Sequence, residues 1–97
     1  MEKQTTKVLY SAGYGAGFYT WGAPREAITD PILIDLVERG ELQLAQGYVE
    51  KTYPGTFAGG VQQLVVAQVP KGQPFMMLEN DGFESIVLQS EVPWIVL

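Results

Sequence analysis

The sequence predicts a single α+β domain: a mostly antiparallel, bent sheet, with two helices inserted between its first strand or strands and a C-terminal β-meander. Three observations carry this expectation. The chain has 97 residues, enough for one hydrophobic core and too few for two, so residues 1–97 are read as one domain. Hydrophobic residues make up 46% and charged residues 18%, the balance of a chain that folds. Runs rich in β-branched and aromatic residues sit toward both ends, whereas the two stretches with helical periodicity are adjacent in the first half.

Taken in order, residues 7–10 (KVLY) have the character of a short strand, and the SAGYGAG that follows ends it with three alternating glycines. Residues 18–21 (FYTW) are again strand formers and predict a second short extended segment before Gly22, Ala23 and Pro24 interrupt it. Asp30 and Pro31 mark a helix start: Asp30 caps free amides, and Pro31 suits the first helical position, where its missing N–H costs nothing. This helix is expected to run to about Arg39 and stop at Gly40, with Ile32, Leu33, Leu36 and Val37 on its apolar face.

Residues 41–52 predict a second helix with Leu42, Ala45 and Val49 at helical spacing, although Gly47 weakens it. Tyr53, Pro54 and Gly55 stop it, and residues 56–60 read as loop. Residues 61–69 form a strand, Pro70, Lys71 and Gly72 a turn, and residues 74–79 the next strand. Asn80, Asp81 and Gly82 then tolerate the positive φ of a tight hairpin turn before residues 83–88 return. Residues 94–97 close the chain as a further strand.

The chain contains neither histidine nor cysteine. That removes the commonest zinc ligands, the commonest general base, the thiolate nucleophile and every Ser-His or Cys-His arrangement. No metal or cofactor is predicted, and binding is favoured over catalysis. The net charge is −5, and the cations Lys3, Lys7, Arg25, Arg39, Lys51 and Lys71 are scattered, which disfavours duplex nucleic acid. No run approaches the ~20 apolar residues of a membrane span, and MEKQTTK carries no apolar signal core behind its charges, so a cytoplasmic location is expected. A domain this small without disulfide or metal gains from burying more surface, which makes a homo-oligomer an expectation.

Two segments hold candidate chemistry. Glu79, Asp81 and Glu84 form the closest acidic set, read either as a hydrated hairpin end or as a hard-cation or acid/base site. The glycines Gly13, Gly15 and Gly17 follow a strand as in phosphate-cradling loops, but no helix opens directly after them and no Lys-Ser/Thr pair is present, so neither the dinucleotide fingerprint nor the P-loop fits. What remains is a glycine and aromatic segment in which Tyr14, Gly15, Gly17, Phe18, Tyr19 and Trp21, with Arg25, are candidates to bind a small anionic or nucleotide-like molecule. The rings would stack a planar ligand, and Arg25 with the loop amides would hold its charge. The alternative is packing, with the aromatics in the core and the glycines admitting close backbone approach.

The run from Tyr10 to Trp21 (YSAGYGAGFYTW), the Asp30-Pro31 helix start, Gly59-Gly60, Val69-Pro70 and the Glu79-Asn80-Asp81-Gly82-Phe83-Glu84 hairpin together resemble a family of short proteins of tailed phages and prophages. Those proteins carry a GYGAG-aromatic segment near the start and an E-x-D-G-x-E hairpin near the end; Asn80 stands here where a tyrosine is usual. The resemblance implies a phage setting in a host cell. It also implies action by binding, either sequestering a host signalling nucleotide or, as the alternative, inhibiting a host protein or stabilising a virion component.

Overall fold

A computed structural model describes residues 4–56 and 58–88. The chain begins with β1 (Thr5–Ser11), passes through two 3₁₀ segments at Tyr19–Trp21 and Arg25–Thr29, and enters α1 (Pro31–Glu38) and α2 (Leu42–Thr52). A third 3₁₀ segment, Ala58–Gln63, leads into β2 (Leu64–Pro70), followed by β3 (Phe75–Asn80) and β4 (Phe83–Leu88). The fold is α+β, with two helices inserted between the N-terminal strand and the later antiparallel strands, as the sequence predicts.

The strands pair as two separate ladders. β1 runs antiparallel to β2 from Thr5 opposite Pro70 to Ser11 opposite Leu64, and β3 runs antiparallel to β4 from Phe75 opposite Leu88 to Asn80 opposite Phe83. Among the described residues the expected bent sheet is therefore two separate two-stranded antiparallel sheets, of which only β3–β4 is a hairpin. β4 passes close to β1, but a side chain rather than a ladder makes the hydrogen bond there. The core between the β1–β2 ladder and the helices is built from Val8, Leu9, Leu33, Ile34, Val49, Val61 and Leu64, with Phe18 fully enclosed.

Local chemistry explains the helical half. Asp30 has extended φ/ψ and accepts the amides of Ile32 (2.9 Å) and Leu33 (3.2 Å), with Pro31 behind it at the first helical position. At the other end Gly40 has φ +75. Its N–H donates to the Val37 carbonyl and that of Glu41 to Leu36, the paired bonds that close a helix on a left-handed glycine. α1 buries Leu33 and Ile34, with Leu36 and Val37 against the core, whereas Ile32 is 56% exposed. The expected face is thus rotated: it centres near Val37, and Ile32 lies well round the helix from that point. In α2, Ala45 and Val49 are buried as expected, while Gly47 faces open space.

Two other boundaries differ from the sequence reading. Residues 18–21 do not extend; Tyr19–Trp21 coils into a 3₁₀ turn closed by Gly22 at φ +116, because the amides that a ladder would need are taken by a side chain described below. The loop expected at 56–60 contains the start of the Ala58–Gln63 turn, so β2 begins at Leu64. The expected strand at 94–97 lies outside the described residues.

Asp30 also joins the two helices. Its second carboxylate oxygen accepts from the hydroxyls of Tyr48 (2.7 Å) and Tyr53 (2.5 Å). Burial pushes its pKa up, but the Tyr53 and Tyr48 hydroxyls and the Leu33 and Ile32 amides outweigh that and hold it below its ordinary 3.8. The unfolded chain therefore binds the proton more tightly than the folded one. The stabilisation is complete above the ordinary value and is lost as pH falls through the lower folded one. Replacing Asp30 by Asn is expected to cost about 2 kcal/mol near neutral pH. In urea titrations repeated down to strong acid, the gap between wild type and variant should narrow as pH falls below the ordinary carboxylate range; a gap independent of pH would show that the charge is not what holds the helices together.

Candidate functional site

The segment after β1 wraps the tip of the β3–β4 hairpin, and its geometry starts from Glu84. This residue is fully buried. One carboxylate oxygen accepts the Ser11 amide at 2.8 Å. The other accepts the Phe18 amide at 3.1 Å and both the amide and the hydroxyl of Thr20 at 2.6 Å. A buried carboxylate is costly unless its lone pairs are filled, and here three amides and a hydroxyl fill them without a cation.

Backbone closeness is what lets those amides converge. The Gly15 amide donates to the Asp81 carbonyl, and the Ser11 hydroxyl donates to the Ala16 carbonyl. Asp81 (φ +52) and Gly82 (φ +87) supply the two positive φ values of a tight hairpin turn. A methyl group on Gly82 would stand 2.6 Å from the Ala16 nitrogen, and one on Gly60 would strike the Gly17 carbonyl. Gly17 in turn lies under the Trp21 indole, whose ring would be 2.5 Å from an added Cβ. Gly17, with Gly60 and Gly82 beside it, is therefore where backbones pass closely, whereas Gly15 at φ +71 faces open space; the anion that this segment cradles is the chain's own carboxylate.

Glu79 completes the tip. It accepts the Trp21 indole N–H at 3.0 Å and the Gly82 amide at 2.7 Å, and these bonds hold its carboxyl below the ordinary 4.5. Glu79, Asp81 and Glu84 do not converge on a cation position: among the described residues no three acidic side chains are grouped to hold a metal ion. Two of the three spend their lone pairs on donors of the same chain.

The predicted site residues divide between two places. Tyr14, Gly15, Gly17, Phe18 and Trp21 belong to the hairpin wrap: Tyr14 is 68% exposed and stacks on Phe83 with centroids 5.1 Å apart, while Phe18 is core. Tyr19 and Arg25 are brought together elsewhere, on an open groove of about 890 Å³. Ile28 and Thr29 share their wall, and Gln73, Phe75 and Met77 line the side formed by the turn before β3 and by β3 itself. Arg25 is exposed and makes no ion pair among the described residues.

Sequence reasoning missed Glu84 as the anchor and β3 as a wall. A signal for the first exists: strand alternation puts Glu84 on the same face as Ile86 and Leu88, and a glutamate in an apolar row is a sign of a buried acceptor. No helix among the described residues is long and apolar enough to cross a membrane. Comparisons of the chain with models of known families, with curated proteins and with solved structures find no match.

The two kinds of glycine predict opposite effects. Gly60→Ala meets backbone that cannot step aside, and should destabilise the protein by about 3 kcal/mol. Gly47→Ala, in a helix interior with free space around it, should stabilise by about 1 kcal/mol. Urea unfolding midpoints for the two variants check this, and equal shifts in one direction would mean that the contact between Gly60 and Gly17 is not tight.

Proposed function

We infer that the protein is a non-enzymatic binding protein that takes up a small anionic or nucleotide-like molecule in the groove between Tyr19, Arg25 and β3. The observation that carries this reading is Arg25: an exposed guanidinium with no ion pair among the described residues, on the rim of a cavity of ligand size that also holds the Tyr19 ring. A cavity of about 890 Å³ falls within the range of small-molecule sites. The groove mixes two aromatic rings, Tyr19 and Phe75, with apolar Ile28 and Met77 and the polar ends of Thr29 and Gln73. That mixture suits a planar group bearing a negative charge: the rings and apolar side chains cover its faces, and the guanidinium pairs with its anionic part in a fork geometry.

This reading keeps the ligand class expected from the sequence and moves its location. The Ser11, Phe18 and Thr20 amides that flank the glycines are occupied by Glu84 and the Gly15 amide by the Asp81 carbonyl, so we assign the anion to Arg25. The resemblance to phage-encoded proteins supplies the biological setting, in which the ligand would be a signalling molecule of the host held out of use. The absence of His and Cys agrees with capture without turnover, since most nucleophilic and acid/base devices need one of them.

Calorimetry against a panel of nucleotides and cyclic nucleotides, with protein well above micromolar concentration, tests the proposal. At least one member should bind, and Arg25→Ala should weaken it by about 10- to 100-fold, the worth of a hydrogen-bonded charge pair. No heat from any member, or equal affinity in wild type and Arg25→Ala, would overturn it.

A further inference from the structure

The groove has two walls that belong to different parts of the fold. One is β3, whose Phe75, Met76 and Met77 are paired with Leu88, Val87 and Ile86 of β4. The other is the segment that carries Tyr19, Arg25, Ile28 and Thr29; it is anchored in the main core by buried Ala27 and Ile28. Among the described residues no ladder joins the β3–β4 hairpin to β1 and β2. The separation of the walls is therefore set by the turn from β2 to β3, by the backbone bond from the Gly15 amide to the Asp81 carbonyl, and by side-chain contacts between the hairpin and the chain wrapped around it.

The strongest of those contacts is Glu84. Its acceptor bonds run to Phe18 and Thr20, the residues on either side of Tyr19, and to Ser11 at the end of β1. The Tyr19 backbone is in effect suspended from β4, while β4 carries the opposite wall through its register with β3. A further polar link made by a side chain, from Trp21 to Glu79, is exposed, and water competes with such a bond. The Glu84 bonds to Ser11 and Phe18 are buried.

We propose that Glu84 is a positioning residue for the groove: its carboxylate fixes the distance between the Tyr19–Thr29 wall and β3, and thereby the thickness of the molecule that fits between them. The inference rests on the groove being the ligand site, but its test uses no ligand, so its failure and the failure of the binding assignment are distinguishable. The chain lacks cysteine, so Met76→Cys places a single thiol on a half-exposed position of β3. A nitroxide attached there broadens nearby NMR signals in a way that falls steeply with distance.

In the Glu84→Gln variant of the labelled protein, broadening of Tyr19 and Thr29 should diminish as the walls separate. Broadening of Val87, the register partner of position 76, should persist, as should amide-exchange protection of the β1–β2 ladder. A merely structural role would lower protection in the ladder and loosen Val87 together with the groove signals, and that outcome overturns the proposal. So does unchanged broadening at Tyr19 and Thr29. Should Glu84→Gln fail to fold, Thr20→Val decides the matter: it removes one donor and leaves the carboxylate bonded to three amides, and the same pattern is expected at smaller amplitude. No change at Tyr19 in that variant would then reject the inference.

Discussion

The structure depends on one buried carboxylate. Glu84 sits fully enclosed with no ion pair among the described residues, a situation that costs several kcal/mol unless every lone pair is satisfied. Satisfying them requires the end of β1, the loop and the turn at Tyr19 to bring their amides to a common point. The close passages follow from that requirement. Gly60 lies against the Gly17 carbonyl and Gly82 against the Ala16 and Gly17 amides because side chains there would hold the backbone off the carboxylate. The glycines that pass this loop are thus tied to an electrostatic demand that a carboxylate 66 residues further along places on the Phe18 amide.

A second carboxylate does in the helical half what Glu84 does between the hairpin and β1. Asp30 caps α1 with one oxygen and gathers Tyr48 and Tyr53 of the α2 end with the other. Both acids act as acceptor hubs in a chain of 97 residues that has no disulfide to restrict its unfolded state. Each hub is worth several hydrogen bonds to charge, individually about 1.5–3 kcal/mol, against a total stability of about 5–15 kcal/mol for a domain. Exposed pairs such as Lys7 with Glu38 and Arg39 with Asp35 contribute little by comparison.

Local signals made part of this legible. The Asp30-Pro31 start, the Gly40 stop and the Asp81-Gly82 turn depend on residues within a few positions of one another, and each forms where the sequence places it. What could not be read was set by distant partners. Phe18, Tyr19, Thr20 and Trp21 have strand-forming side chains, yet Glu84 claims the amides of Phe18 and Thr20 and turns the segment into a 3₁₀ coil; tertiary bonding overrode propensity. Ile32 fits an apolar stripe on spacing, but the cap and the core settle the rotation of α1 and leave it in solvent. The acidic hairpin reads as a solvated end because three carboxylates in six residues usually are; the alternation that puts Glu84 in register with Ile86 and Leu88 is the cue that outweighs composition.

The occupation of the amide cradle by Glu84 changes how an anion would be recognised. A ligand cannot use those N–H groups without displacing a carboxylate that four donors hold, so its charge falls to Arg25. The protein as a whole carries a net charge of −5, and its long-range field repels anions rather than steering them. At physiological ionic strength that field is screened beyond about 8 Å, whereas the Arg25 guanidinium on the groove rim, with no ion pair among the described residues, would act at contact distance. Recognition in such a site is therefore short-ranged. Under the proposed reading it would depend on shape and on one charge pair, so the spacing of the groove walls that we propose Glu84 holds would matter as much as the residues that line them.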